Sequence, residues 1–308
     1  MRTVYLGTST FAVDVLGALA VSPHRPALVV APPDRPQGRG RKVAPPPVAL
    51  AARDLGLELH QAETVNEEGT IARIEAIAPE AICVCQFGQL IKEPLLSRYL
   101  MLNVHPSILP RWRGAAPIER AIMAGDTVSG VTIFQLTEGL DSGPVAAVQH
   151  EPVLPEDTAG TRAVRLAAIG ARLMVETLDR AEAGVLEPAD QPEEGVTYAE
   201  KIQPADRQLD PRRPAVELER VVRALAPAIG AYVVLEDGEQ LGVEEARAAE
   251  GDLPPGELVA ANGSLVLGCG EGVLELLGLK PAGRRAMAAA EYLRGHRPPL
   301  RALAPGDG

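Results

Sequence analysis

The N-terminal part of the chain alternates between short apolar runs and stretches in which apolar residues recur at helical spacing. The predicted strands are residues 2–7, 27–31, 57–60 and 81–85, and the predicted helices are residues 11–20, 48–55 and 67–77. Strands that alternate with helices favour an open α/β sheet. A long amphipathic pattern at 158–183 predicts the closing helix, so we predict a first domain at residues 1–183.

The chain changes character after residue 183. Residues 184–210 are polar and rich in proline, glycine and acidic residues, which is typical of a linker. A helix is predicted at 216–225, and short β-rich runs with glycine-containing turns follow it. These runs favour a small barrel, so residues 211–308 are predicted to form a second domain.

Composition narrows the class of protein. Three cysteines make no disulfide framework, and Cys83 and Cys85 lie in an apolar run without the further ligands of a metal site, so we expect buried thiols. The N-terminus lacks a signal-peptide pattern, and no apolar run approaches the roughly 20 residues that a membrane span needs. The chain is expected to be soluble, cytosolic and monomeric.

The net charge of −11 argues against a nucleic-acid partner, but the charges are segregated along the chain. Residues 32–47 form a proline-rich segment that is expected to be an exposed loop, and its cations are Arg35, Arg39, Arg41 and Lys42. Residues 280–301 carry six cations against one glutamate. Both segments are able to bind phosphate, and the alternative for each is an ordinary solvated surface.

The strongest chemical signal lies where an apolar run at 99–102 breaks into proline-rich chain. Asn103 and His105 are two residues apart, so on a strand they face the same side. Asp141 follows in the turn at 139–143. Each of the three is more often structural when it occurs alone, but together they indicate an acyl-transfer site. The turn at residues 7–11 lacks the Gly-x-Gly-x-x-Gly pattern, which disfavours a nicotinamide-dependent dehydrogenase.

These residues resemble the folate-dependent formyltransferases, whose pattern is an Asn, a His two residues on, a Ser-Leu-Leu-Pro turn and a later Asp. Here the turn is Ser107-Ile108-Leu109-Pro110, a conservative departure. The run from Pro110 to Ile118 is similar to the branch that formylates methionyl-tRNA. The resemblance covers nearly the whole chain and implies a Rossmann-like formyltransferase domain followed by an OB-fold-like β-barrel domain.

The resemblance also implies roles for particular residues. Asn103, His105 and Asp141 would be catalytic, and the co-substrate would be 10-formyltetrahydrofolate, without a metal. Its binding residues would be Ser107, Ile108, Leu109 and Pro110, with Phe87 and Leu90 from the loop at 86–90. Initiator methionyl-tRNA would be the partner, and the residues that contact it would be Arg35, Arg39, Arg41, Lys42, Arg284 and Arg285.

Formyl transfer to an amine passes through a tetrahedral intermediate with a negative oxygen, so the site needs hydrogen-bond donors and a path for protons. Asn103 would supply an uncharged donor. His105 would donate most strongly as imidazolium, a form that a nearby carboxylate favours. Asp141 would hold His105 and pass a proton between the attacking amine and the departing folate nitrogen.

Three alternatives remain open from the residues alone. The same trio would serve a formyltransferase for a small amine, such as glycinamide ribonucleotide or an amino sugar, and that enzyme would not need the basic segments. A formyl-folate hydrolase would use water in place of the amine. A non-catalytic RNA-binding protein would not need all three catalytic positions to be filled.

Overall fold

The computed structural model describes residues 1–37, 42–261, 263–296 and 300–307. The chain forms two compact units, and each unit is assembled from three stretches. The first comprises Met1–Gly114, Val128–Pro152 and Ala163–Tyr198, and the second comprises Ala115–Thr127, Val153–Arg162 and Ala199–Gly308. The continuous domains expected at 1–183 and 211–308, with a linker at 184–210, stay a prediction from the sequence.

The secondary structure begins as a βα alternation. Its elements are β1 Thr3–Gly7, α1 Thr10–Ala20, β2 Pro26–Ala31, β3 Arg35–Gln37, β4 Lys42–Ala44, α2 Pro47–Asp54, β5 Leu59–Gln61, α3 Glu68–Ile77, β6 Ala81–Cys85, α4 Leu95–Arg98, β7 Leu100–His105, β8 Arg113–Gly114, α5 Pro117–Ala124, β9 Val128–Gln135, β10 Val145–Pro152 and α6 Ala159–Glu182.

The remainder of the chain is dominated by strands. Its elements are β11 Tyr198–Ala199, a 3₁₀ turn at Pro204–Arg207, α7 Ala215–Leu225, β12 Ala231–Leu235, β13 Gln240–Ala249, β14 Glu257–Ala261, β15 Ser264–Gly268, β16 Val273–Lys280, β17 Met287–Ala288, α8 Ala289–Tyr292 and β18 Leu300–Leu303.

The first unit contains a seven-stranded sheet in the order β10-β9-β7-β6-β1-β2-β5. Strands β7, β6, β1, β2 and β5 are parallel to one another. At one edge β9 pairs antiparallel with β7, and β10 pairs antiparallel with β9. Strands β1 and β6 are buried along their whole length, as expected for the centre of an α/β sheet. The predicted Rossmann-like class is confirmed.

Helix α6 packs closely against strand β7 at Gly170. A Cβ atom at Gly170 of α6 would lie 2.7 Å from Cγ1 of Val104 and 3.5 Å from Cγ1 of Val131. Any larger residue at this position would push the helix away from β7 and β9, because interiors are packed without spare volume. Gly170 therefore supports the strand that carries Asn103 and His105.

The two cysteines of β6 are buried, as predicted. Cys83 and Cys85 are fully inaccessible, and burial raises the pKa of the Cys83 thiol to about 12. A thiol with so high a pKa carries almost no thiolate at neutral pH. These residues contribute to packing.

The proline-rich segment differs from the irregular loop that the sequence predicts. Strands β3 and β4 pair antiparallel within it, with Arg35 opposite Ala44 and Pro36 opposite Val43. The expected loop was wrong for these residues because proline excludes only central strands; in a two-stranded hairpin its missing N–H can face away from the partner. Residues 38–41 lie outside the described residues.

The second unit contains a closed barrel. Its strands follow the order β13-β12-β18-β14-β15-β16, β16 pairs back onto β13, and β17 adds to β16. Helix α7 contributes Leu218, Val222 and Leu225 to a core that also contains Leu241 and Leu274. The predicted barrel is confirmed.

Over the described ranges, none of the helices combines the length and the apolar run that crossing a bilayer requires.

Candidate active site

Strand β7 presents two of the predicted catalytic residues on one side. Asn103 and His105 lie opposite Phe134 and Thr132 of β9. The His105 ring is buried and meets the Phe134 ring edge to face at a centroid distance of 6.2 Å. Asn103 is partly exposed, and among the described residues its carboxamide has no hydrogen-bond partner. The carboxamide therefore has its donors available to a ligand.

The two ring nitrogens of His105 have different neighbours. Nε2 lies 2.8 Å from the carbonyl oxygen of Trp112, and Nδ1 lies 3.7 Å from Oδ2 of Asp141. A carbonyl only accepts, so Nε2 carries a hydrogen and donates it to Trp112. Nδ1 is then the nitrogen that gains or loses a proton, and it faces the carboxylate.

Asp141 is held by its turn in an unusual backbone conformation. Its φ is 45°, in the left-handed region, which aspartate tolerates better than most residues. Oδ2 accepts a hydrogen bond from the backbone N–H of Gly114 at 2.8 Å. The turn lies tight against β9, since a Cβ atom at Gly143 would be only 1.8 Å from the carbonyl oxygen of Gln135. The side chains of His105 and Asp141 are 5% and 15% exposed, so the pair is sheltered from water.

The structure corrects the expected charge of His105. Burial lowers the pKa of His105 below its ordinary value, and the opposing effects of Asp141 and the Trp112 carbonyl are smaller. The nearby carboxylate does favour imidazolium, as expected, but the cost of burying a charged ring outweighs its effect. The lowered pKa favours the neutral imidazole, whose Nδ1 faces the Asp141 carboxylate.

The turn proposed to bind folate is hydrogen-bonded to a side chain of strand β9. Thr132 donates from Oγ1 to the Ser107 carbonyl at 2.7 Å and accepts from the Leu109 N–H at 3.2 Å. Ser107 is buried and donates its own hydroxyl to the Arg111 carbonyl at 2.6 Å. Leu109 is also buried, whereas Ile108 and Pro110 are partly exposed. The partly exposed pair has the surface that a ring could contact.

The two other residues of the predicted folate site, Phe87 and Leu90, differ in their exposure. Phe87 is 3% exposed and belongs to the buried core cluster that contains Leu6 and Val84, whereas Leu90 is 69% exposed. The Phe87 carbonyl accepts a hydrogen bond from the Thr8 hydroxyl at 2.8 Å. A contact of the Phe87 side chain with ligand would require rearrangement, and a contact of Leu90 would not.

The predicted RNA-contacting cations that the structure describes are at the surface. Arg35 and Lys42 are exposed in the first unit, and Arg35 pairs with Glu63 at 2.8 Å. Arg284 and Arg285 are exposed in the second unit, where Arg285 lies 3.5 Å from Glu291. Arg39 and Arg41 lie outside the described residues. Exposed pairs of this kind are weak and can be exchanged for phosphate.

Several residues of the site could not be found from the sequence, because each of their hydrogen bonds has a backbone group on at least one side. These are the Trp112 carbonyl, the Gly114 N–H and the Thr132 hydroxyl described above, together with Gln191, whose Nε2 donates to the Asp141 carbonyl at 2.8 Å. The Arg111 guanidinium lies 4.4 Å from the centre of the Trp112 ring. A backbone partner leaves no signature in residue type.

Within the described part of the chain, no three histidine, cysteine or acidic side chains are grouped as a metal site would require.

Two family profiles match the chain. The profile described as formyl transferase matches residues 1–178, and the profile described as formyl transferase, C-terminal domain, matches residues 201–297. Together they account for most of the sequence.

Curated relatives are similar over the full length. A methionyl-tRNA formyltransferase of Halorhodospira halophila is 45% identical over 99% of this chain and 98% of its own length. The enzymes of the same name from Ruegeria pomeroyi and Streptomyces griseus are each 42% identical over 96% of this chain and 97% of their own length.

Solved structures share the fold at much lower identity. WlaRD, a sugar 3N-formyl transferase, matches with a TM-score of 0.68 at 14% identity over 92% of this chain and 99% of its own. HypX from Aquifex aeolicus, solved with tetrahydrofolic acid, matches with a TM-score of 0.64 at 20% identity over 95% of this chain, which spans 47% of HypX.

Proposed function

This chain belongs to the folate-dependent formyltransferases, in the methionyl-tRNA formyltransferase family, and we propose that it formylates initiator methionyl-tRNA. The formyl group would come from 10-formyltetrahydrofolate and pass to the α-amino group of the methionyl ester. Membership in an enzyme family argues against the alternatives of a non-catalytic RNA-binding protein and a dehydrogenase. The reaction belongs in the cytoplasm, where charged tRNA is used.

The observation that carries the mechanism is the pairing of His105 Nδ1 with Asp141 Oδ2 at 3.7 Å. Neutral Nδ1 and the carboxylate are both proton acceptors, and they face each other in a sheltered site. As the amine attacks the formyl carbon, the proton that its nitrogen loses is taken up by this pair. The resulting Nδ1–H then faces the site as a donor beside a carboxylate that stabilises its charge.

Asn103 and the protonated pair complete the sequence of steps. The Asn103 carboxamide donates to the oxygen of the tetrahedral intermediate, where negative charge develops. Collapse of the intermediate restores the carbonyl and breaks the bond between the formyl carbon and the folate nitrogen. The proton held by the pair goes to that departing nitrogen, so His105 and Asp141 return to their starting state.

The turn at Ser107–Pro110 supports folate binding through its fixed backbone and the partly exposed Ile108 and Pro110. The cations of the hairpin β3–β4 and of the segment after β16 support tRNA binding, because exposed arginine side chains bind phosphate in a bidentate manner. Relatives named methionyl-tRNA formyltransferase that match over the full length favour this acceptor over a small amine.

Three parallel assays of the purified full-length chain test the proposal. All three contain 10-formyltetrahydrofolate. The first adds methionyl-initiator tRNA as the acceptor, the second adds glycinamide ribonucleotide, and the third has no acceptor and measures the release of formate. We expect transfer to the tRNA alone. Transfer only to the small amine, or rapid release of formate without any acceptor, would replace the proposed function by one of the two remaining alternatives.

A further inference from the structure

Gln191 makes four hydrogen bonds with one carboxamide. Its Nε2 donates to the carbonyl oxygens of Asp141 and Gly143 at 2.8 and 2.9 Å. Its Oε1 accepts from Nε and Nη2 of Arg113 at 3.1 and 2.7 Å. The assignment of the amide is unambiguous, because a flipped amide would place its oxygen against two carbonyls and its NH₂ group against a guanidinium.

These bonds connect the two loops that meet at the predicted catalytic pair. Gly114, the residue after Arg113, donates its N–H directly to the Asp141 carboxylate. The Arg113 side chain reaches the backbone of the same turn through Gln191. The Asp141 turn is therefore tied to residues 113–114 twice, once at the carboxylate and once at the backbone on either side of Ser142.

The segment that carries Gln191 is itself fastened to the loop that follows His105. The Thr197 hydroxyl accepts from the Trp112 N–H at 2.9 Å, and its carbonyl accepts from the Arg113 N–H at 2.9 Å. Trp112 is the residue whose carbonyl accepts from His105 Nε2. The stretch from Gln191 to Thr197 thus bonds to Trp112, the backbone partner of His105, and to Arg113, the neighbour of the residue that donates to Asp141.

We propose that Gln191 is a positioning residue that sets the place of the Asp141 carboxylate relative to His105 Nδ1 during formyl transfer. The inference rests on the proposed function, because it gives Gln191 a role only through Asp141. Asp141 has a left-handed backbone conformation, and within the described ranges one N–H donates to its carboxylate, so without Gln191 its turn would relax. A displacement of about 1 Å at a reacting group costs on the order of a hundredfold in rate.

The test is a double-mutant cycle on the full-length chain. Gln191→Met keeps the size of the side chain and removes all four hydrogen bonds. We expect kcat to fall about tenfold to a hundredfold while KM for formyl donor and tRNA changes less than about twofold. In an Asp141→Asn background, the same change should reduce kcat less than about twofold, since the residue through which Gln191 acts is already disabled.

A matched control separates this role from general packing. Gln149 of strand β10 also accepts a hydrogen bond from an arginine, Arg172. Over the part of the chain that is described, it does not bond to the Asp141 turn, so Gln149→Met should leave kcat unchanged. If Gln191→Met unfolds the chain, Gln191→Glu keeps the contact with Arg113, removes both donors to the turn, and should show the same loss of kcat.

The outcomes distinguish the two proposals. Unchanged kcat in the Gln191 variants, or losses that multiply with that of Asp141→Asn, would overturn the positioning role and leave the proposed function standing. Full turnover of the Asp141→Asn single variant would overturn the proposed mechanism, and the role of Gln191 with it.

Discussion

The asymmetry of His105 explains how a single ring can be both fixed and reactive. Nε2–H is committed to the Trp112 carbonyl, which sets the tautomer and the ring orientation. Nδ1 faces Asp141 with its lone pair exposed to the site. Because burial lowers the pKa of His105, the neutral ring is favoured, and the proposed mechanism needs that form to accept the proton of the amine.

The protonation of His105 is directly measurable. In ¹⁵N-histidine NMR spectra, with His105→Asn used to assign the resonances, we expect the Nε2–H tautomer at pH 7 and a pKa below the ordinary value of 6.5. Asp141→Asn should lower this pKa further, because the carboxylate raises it. An Nδ1–H tautomer, or a pKa above 6.5, would contradict the geometry.

The same pKa contributes to the pH dependence of stability. The native state binds fewer protons at His105 than the unfolded chain does below pH 6.5, so stability rises with pH in that range. The contribution is present above pH 6.5 and is lost as the pH falls through the lowered native pKa. The urea midpoint of the wild-type chain should therefore fall more steeply between pH 7 and pH 5 than that of His105→Asn.

Asp141→Asn tests proton transfer itself. Asparagine can still accept the Gly114 N–H through its oxygen, so the turn should persist, but it cannot take up a proton. We expect kcat to fall about 10²- to 10⁴-fold with KM values changed only slightly. Steady-state kinetics with both substrates gives the answer, and equal losses in binding and turnover would point to a structural role.

The turn after β7 depends on one side chain of β9. Thr132→Val keeps the shape of the residue but leaves the buried Ser107 carbonyl and Leu109 N–H without their partner. We expect a loss of about 1 to 3 kcal/mol in the free energy of unfolding and a raised KM for the formyl donor. Urea denaturation and donor titration at fixed tRNA measure the two effects.

Thr177→Val is the control for Thr132→Val. Thr177 is buried too, but its hydroxyl donates to the Leu173 carbonyl within helix α6. The change should leave KM for the formyl donor unaltered. An equal rise in KM in both variants would show that the effect does not come from the turn.

At the level of elements, sequence patterns succeed where burial alone decides the structure. Strands β1 and β6 are buried throughout, and their apolar runs predicted them. The hairpin β3–β4 was missed because its three-residue strands are largely exposed and carry no apolar run, and one of them contains a proline. Asn103, His105 and Asp141 were predicted from residue type, whereas Gln191 and Thr132 were not, because their partners are backbone groups that any residue provides.

At the level of the molecule, segregated charge predicts how tRNA affinity should respond to salt. Arg35→Ala should weaken binding and flatten the dependence of log K on log salt by about 0.7 to 0.9 if one phosphate contact is lost. Folate affinity should stay unchanged. Filter binding over a salt series measures the slope, and Arg39→Ala, outside the described residues, is predicted to behave in the same way.

Arg172→Ala is the matched control for Arg35→Ala. Arg172 is an exposed arginine of α6 that pairs with Glu176. It resembles Arg35, an exposed arginine of the hairpin that pairs with Glu63. It should leave the salt slope unchanged. If Arg172→Ala and Arg35→Ala flatten the slope equally, the attraction is a property of net surface charge and not of the hairpin.

The division of the chain has a consequence for its synthesis. Five junctions, after residues 114, 127, 152, 162 and 198, separate stretches of one compact unit from stretches of the other. The first unit cannot be completed until residue 198 has left the ribosome, and by then two pieces of the second unit have already been translated. Those pieces, which include helix α5, must wait for the barrel strands that follow, so the two halves cannot mature as successive, self-contained products of translation.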